Sequence, residues 1–176
     1  MEIKFADRMD SFKEGIFTTL ANIKKERLKE NKPVFDLSVG TPDFLPEKHV
    51  VDALVEAAKI PENFKYAITD KDEMLEAVQV WYKRRYNVEL EKDEIMSLYG
   101  SQEGISRVAL TICNVGDTVL VPNPGYPVFA IGPMLNDANI EYYELKEENG
   151  YLIDFNSIPE DVARKAKAII VSYPAN

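Results

Sequence analysis

Three segments of the sequence put ligand-holding residue types where a strand would run out. In Leu98-Tyr99-Gly100-Ser101-Gln102-Glu103-Gly104-Ile105 an apolar run passes through a glycine-serine turn directly into a helical stretch. The free amides of such a helix start, the helix dipole and a serine hydroxyl together make an anion site that needs no lysine or arginine, and a phosphate fits it. The same serine reads equally as an ordinary N-cap. In Val121-Pro122-Asn123-Pro124-Gly125-Tyr126-Pro127, three prolines and a glycine stiffen a loop that presents Tyr126, either as a flat ring for a ligand to stack on or as packing. Ser172-Tyr173-Pro174-Ala175-Asn176 again lies just past an apolar run. In a parallel sheet all three loops leave by one edge, where open α/β sheets place ligands, so they can converge.

The elements that must position these loops follow from periodicity and breakers. Apolar runs predict strands over 34–39, 94–99, 118–121, 140–145 and 168–172. Helical spacing predicts helices over 15–30, from Pro46 to before Pro61, from 101 to near Gly116, and over 126–135 and 159–166. The second of these should turn Val50, Val51, Leu54, Ala57 and Ala58 inward. Asp70 with Glu73 three residues on reads as a capping box for a further helix. That helix carries Met74, Val78, Trp81 and Tyr82 on one face and Lys83-Arg84-Arg85 in its last turn. Strands alternating with helices imply an α/β fold, a mostly parallel sheet with helices on both faces. The run 168–172 lacks polar alternation and predicts a buried central strand, so a domain ending there looks unfinished.

The composition narrows the function classes. The 176 residues are 45% hydrophobic, enough for one core, so the chain is one domain or part of a larger one. Lysine and arginine number 21 against 30 aspartates and glutamates; 21 − 30 gives −9, which repels nucleic-acid backbones and anionic lipid. One cysteine and one histidine cannot build a disulfide framework or a Cys/His zinc site. No secretory signal is legible, and no stretch nears the about 18 apolar residues of a membrane span, so a cytoplasmic protein is expected. Neither G-x-x-x-x-G-K-[ST] nor G-x-G-x-x-G occurs. His49, on the second helix, reads as a surface or boundary residue, and Cys113 as a small core residue.

With these residues in hand, the chain resembles the N-terminal part of a pyridoxal-phosphate enzyme of the class I/II aminotransferase family, with the aspartate-aminotransferase fold. The blocks that carry the resemblance stand in family order and spacing. They are Asp36-Leu37-Ser38-Val39-Gly40-Thr41-Pro42-Asp43-Phe44, Tyr66-Ala67-Ile68-Thr69-Asp70, Gly100-Ser101-Gln102-Glu103-Gly104, Gly116-Asp117-Thr118-Val119, Pro124-Gly125-Tyr126-Pro127 and Tyr173-Pro174-Ala175-Asn176. Gly-Ser-Gln-Glu-Gly-Ile, Pro-Gly-Tyr-Pro and the following Lys146-Glu147-Glu148-Asn149-Gly150 are most similar to the LL-diaminopimelate aminotransferase branch.

The resemblance implies an N-terminal helical arm and small-domain segment over 1–40. From 41 to 176 it implies the first part of the large cofactor-binding domain, incomplete after the asparagine of an Asn-Pro motif. It implies that Ser101 and Gln102 hold the cofactor phosphate, that Tyr126 stacks on the cofactor ring and that Asn176 donates to the ring oxygen. Gly40 would approach the substrate carboxylate. Tyr66 would reach the phosphate in the neighbouring subunit, which makes a homodimer. Beyond Tyr66, where the family often has a glycine and an arginine, this chain has Asp70, Lys71 and Leu75.

The implied activity moves an amino group from an amino acid to a 2-oxo acid. The family's Schiff-base lysine, its aspartate to the pyridinium nitrogen and its substrate-clamping arginine lie beyond Asn176, so the chain alone is expected to be inactive, with no catalytic residue assigned in it. A non-catalytic remnant, or a C–S lyase or synthase on the same fold, would share every residue quoted.

Overall fold

A computed structural model describes residues 3–12, 14–40 and 42–175. They form two compact units. One is built from the N-terminal segment to Phe12 and everything from Ser97 onward; the other is the intervening chain, 14–96.

The first unit is organised by a three-stranded parallel sheet of order β2-β1-β3, with β1 (Thr118–Asn123), β2 (Asn139–Glu144) and β3 (Ala166–Ile169). β1 runs in register with β2 from Thr118↔Asn139 to Asn123↔Glu144, and pairs with β3 through an irregularity between Thr118 and Val119. Alternation along β1 supplies both faces of the sheet. Val119 and Val121 join Ala109, Cys113, Val128, Phe129 and Ala138 on one side. Leu120 joins Tyr143 and Leu145 on the other, with Ile153, Ile158 and Val162 against them. Each large apolar side chain buried here contributes about 1.5–3 kcal/mol relative to exposure.

The first face is covered by α4 (Ser101–Ile112) and α5 (Val128–Leu135), the second in part by α6 (Glu160–Lys165). The approach of α4 to α5 is set by Gly132, where a Cβ would lie 2.5 Å from Ser106 Cα and 2.7 Å from the Ser106 carbonyl oxygen. Asn136, just past α5, donates through Nδ2 to the carbonyls of Ala109 (3.2 Å) and Cys113 (2.9 Å), which ties the end of α5 to the end of α4 and gives the Cys113 carbonyl a partner. Arg8 ties the N-terminal segment to the same corner, donating to the Leu135 carbonyl at 2.9 Å and pairing with Asp137 at 3.1 Å.

The second unit holds α1 (Ile16–Lys29), α2 (Lys48–Ala58) and α3 (Asp72–Tyr86). None of its described residues is buried.

Several sequence expectations change. Residues 34–39 form no strand: Asp36 accepts hydrogen bonds from the Ser38 amide (3.0 Å) and hydroxyl (2.6 Å), so a local turn takes the place of a ladder. Lys24 at 2.8 Å, with those Ser38 bonds, holds the Asp36 carboxyl well below the usual carboxylate range. Residues 94–99 are likewise no strand. A short 3-10 turn, Lys92–Glu94, closed by a reciprocal Glu91/Glu94 box, takes up their start, and no ladder partner is present among the described residues.

The helix expected to be capped by Asp70 begins at Asp72, with Lys71 at the cap and no side-chain cap bond. The Lys71 ammonium donates to Asn63 Oδ1 at 2.7 Å instead. The apolar residues of α2 are not turned inward: Val50, Val51 and Leu54 stay exposed, because none of the unit's described residues is buried against them. Among the described residues the last strand is not central: β3 starts two residues earlier than expected, is half-buried and has its ladder partner, β1, on one side.

Cys113 is buried in the core under β1. Burial, with Asp117 adding to it, pushes its thiol pKa up. The raised folded value means that its contribution to stability is complete below the unfolded thiol pKa and is lost as pH rises through the folded one. The native thiol should therefore resist a maleimide at neutral pH and react only as the unit unfolds, which mass spectrometry across a denaturant series would read. Rapid labelling of the folded protein would contradict this packing.

Candidate functional site

The site is built where β1 ends and α4 begins. Gly100 occupies the N-cap of α4 at φ 91°, a left-handed conformation that a residue with a Cβ rarely adopts, and it offers no side chain to the helix amides. Ser101 and Gln102 are therefore the first helical residues, and their amides have no acceptor among the described residues. The Glu103 amide is used, donating to the Gly100 carbonyl at 3.1 Å.

At the other side, β1 runs into a loop held to β2. The Leu145 amide donates to the Asn123 carbonyl at 2.8 Å, and Asn123 Nδ2 donates to Glu144 Oε1 at 2.7 Å. The loop carries a cis Asn123–Pro124 bond and delivers Tyr126 just before α5. The Tyr126 ring meets Phe129 edge to face, with centroids 6.1 Å apart. Its hydroxyl accepts a 2.7 Å hydrogen bond from Gln102 Nε2. Ser101, Gln102 and Tyr126 are thus assembled in one place.

The third segment leaves β3 at the same edge as the β1 loop, since the two strands are parallel. Its path is fixed by two tyrosines. Tyr143, whose pKa burial pushes up, donates to the Ile170 carbonyl at 2.6 Å, and the Tyr173 hydroxyl accepts from the Ile153 amide at 2.9 Å. Asn176 lies outside the described residues.

Gly40 and Tyr66 belong to the other unit, where both are exposed. Nothing stands within 4 Å of a Cβ placed at Gly40. His49 is exposed on α2, and Lys165 ends α6 paired with Asp161 at 3.7 Å. No group of three or more His, Cys, Asp and Glu residues among those described could hold a metal ion.

The donor set suits a phosphate ester: two unused amides and a hydroxyl at the positive end of a helix. The carboxylate beside them is engaged elsewhere. Glu103 Oε2 accepts from the Tyr99 amide at 2.8 Å, and Oε1 pairs with Arg107 at 3.0 Å. A phenol ring stands next to these donors, fastened by the same turn. Two of these features escape the sequence reading, the side-chain bond of Gln102 and the backward reach of Glu103. Glutamate three residues past a cap is the available signal for the second, but glycine stands where a capping box has serine or threonine.

Comparison with known proteins agrees with this architecture. An LL-diaminopimelate aminotransferase from Aquifex aeolicus is 43% identical over 175 residues, covering 98% of this chain and 45% of that protein. The apo structure of BacF from Bacillus subtilis superposes with a TM-score of 0.88 at 34% identity, over 100% of this chain and 45% of that one. An aspartate aminotransferase from Rhizobium meliloti shares the fold, with a TM-score of 0.88 at 20% identity over 99% of this chain and 44% of that one. The chain spans about half the length of the relatives it matches. No helix among the described residues is long and apolar enough to cross a membrane. With the family model for class I and II aminotransferases matching residues 32–176, the chain belongs to that family, whose members use pyridoxal phosphate.

Proposed function

We propose that the protein transfers an amino group from an amino acid to a 2-oxo acid using pyridoxal phosphate, with LL-diaminopimelate as the amino-acid substrate. The observation that carries this reading is the turn at Gly100, with the Ser101 and Gln102 amides unused and the Tyr126 hydroxyl bonded to Gln102 at 2.7 Å. The substrate rests on the 43% identity to the Aquifex aeolicus enzyme.

The Ser101 and Gln102 amides and the Ser101 hydroxyl hold the phosphate, and the Tyr126 ring covers one face of the pyridine. Asn176 donates to the ring oxygen, and the Gly40 backbone meets the substrate carboxylate. Bound there, pyridoxal phosphate would supply the electron sink that stabilises the negative charge left on the substrate α-carbon when its proton is removed. The chain's own residues orient the ring and hold the phosphate end fixed.

The proposal also takes 1–40 as an arm and small-domain segment, 41–176 as part of the cofactor domain, and the protein as cytoplasmic. It includes a homodimer in which Tyr66 reaches the neighbouring subunit's phosphate. Support comes from the exposure of Tyr66 and of Ile16, Phe17, Ile23 and Leu28 on α1.

Assembled with the lysine-bearing part that the resemblance implies, loaded with cofactor and mixed with LL-diaminopimelate, the chain should convert the pyridoxal form to the pyridoxamine form, and a 2-oxo acid should reverse the change, whereas residues 1–176 alone should do neither. Absorbance reads both halves, and sedimentation of the same sample should give a dimer. Failure to convert with any amino acid would sink the activity, conversion only with other amino acids would sink the substrate, and a concentration-independent monomer would sink the dimer.

A further inference from the structure

We propose that Glu103 is the positioning residue of the phosphate-binding turn, a clasp that shapes the start of α4 while leaving the Ser101 and Gln102 amides open to the ligand. This deepens the reading above and rests on it.

A helix start has four amide donors without partners inside the helix, and an ordinary cap spends a side-chain oxygen on one of them. A serine or aspartate at the cap of α4 would compete with an incoming anion for those donors. Gly100 removes the competitor, and with it the bond that usually fixes the turn.

Glu103 restores the fixing from the other direction. Its own amide donates to the Gly100 carbonyl at 3.1 Å, and its Oε2 accepts from the Tyr99 amide at 2.8 Å. One residue thereby closes the segment 99–103 at two points without touching either donor intended for the ligand.

A carboxylate near a phosphate site carries a charge penalty, and the structure deals with it. Oε1 pairs with Arg107 one turn along α4 at 3.0 Å, and the Glu103 side chain is only 21% exposed. The group that shapes the anion site is thus charge-compensated within its own helix. The geometry separates two properties of Glu103: its acceptor oxygen is wanted, and its charge is not.

That separation sets the test. Binding of pyridoxal phosphate and of pyridoxal, which lacks the phosphate, is measured by fluorescence titration on the wild-type protein and on E103A and E103Q. A hydrogen bond made by a charged group is worth about tenfold to a hundredfold in an equilibrium. E103A should weaken pyridoxal phosphate by about tenfold or more and leave pyridoxal unchanged. E103Q keeps an acceptor for the Tyr99 amide and should bind pyridoxal phosphate within about threefold of wild type, or more tightly. Should E103A fail to fold, E103D, one methylene short of Tyr99, takes its place with the same expectation.

Unchanged pyridoxal phosphate affinity in the shortened variant overturns the clasp, as does an equal loss in E103Q. A merely structural role would weaken both ligands together. If wild-type protein binds pyridoxal as tightly as pyridoxal phosphate, the phosphate site itself is wrong, a result distinct from failure of Glu103.

Discussion

Ser101→Asp is expected to weaken pyridoxal phosphate binding by about a hundredfold while leaving α4 as stable as before or slightly more so. The two effects have opposite signs because the same helix start governs both. A carboxylate in the first turn suits the helix dipole and favours the helix by about 0.3–1 kcal/mol. Placed where the phosphate is held, it meets a second anion. Two unit charges about 4 Å apart near a protein surface interact by about 4 kcal/mol, close to a thousandfold, and solvent screening at an exposed position reduces this to about a hundredfold. Ser101→Ala removes only the hydroxyl and should cost about tenfold. Cofactor titration alongside thermal unfolding reads both quantities. Normal cofactor binding by the Ser101→Asp variant would place the phosphate somewhere other than the start of α4.

The second large effect is on stability. Gly132→Ala introduces a Cβ 2.5 Å from Ser106 Cα and 3.0 Å from its carbonyl carbon, so the obstacle is the backbone of a helix and not the end of a side chain that can swing away. Relief requires α4 and α5 to separate, which loosens Ala109, Cys113 and Phe129 in the cluster between them and the sheet. Overpacking of this kind costs about 1–3 kcal/mol, and the rigidity of both partners puts the expectation at about 2–3 kcal/mol. For a chain of this size that lowers Tm by about 5–10 °C, measurable by circular dichroism. The movement also carries α4 away from α5, so cofactor affinity should fall in the same variant. A Tm equal to that of wild type would show that the two helices part without cost.

How far the sequence could be read depends on how local the deciding interactions are. The strand at 118–123, the helices at 101–112 and 128–135 and the glycine-serine turn were legible because each is settled by its own apolar spacing and breakers. The same holds for the family motifs, whose loops carry their chemistry within a few consecutive residues. Strand expectations at 34–39 and 94–99 failed for the opposite reason. An apolar run becomes a strand only beside a partner, and Asp36 and the Lys92–Glu94 turn engage those segments locally instead. β3 read as central because its apolar run is unbroken, yet among the described residues it has a ladder partner, β1, on one side only. Within the site, Tyr126 and Ser101 stand out by residue type. The Gln102–Tyr126 bond spans 24 positions, and Glu103 acts on a backbone amide, which no residue letter announces.

The tie made by Arg8 bears on the order in which the chain matures during synthesis. Its acceptor, the Leu135 carbonyl, lies 127 positions further along, and the whole of 14–96 comes between. At the usual elongation rate of about 5–20 residues per second, the first segment waits about 6–25 s for its partner to be made. The intervening unit emerges complete during that wait, with no buried residue among those described to hold it. The nascent chain therefore carries Arg8 without its Leu135 and Asp137 partners until the 135–137 corner is made, and Ile105 and Ala109 of α4 uncovered until β1 and α5 follow. Shielding over that interval would have to come from the ribosome surface or a chaperone, and the yield of folded protein should depend on translation speed through residues 97–137.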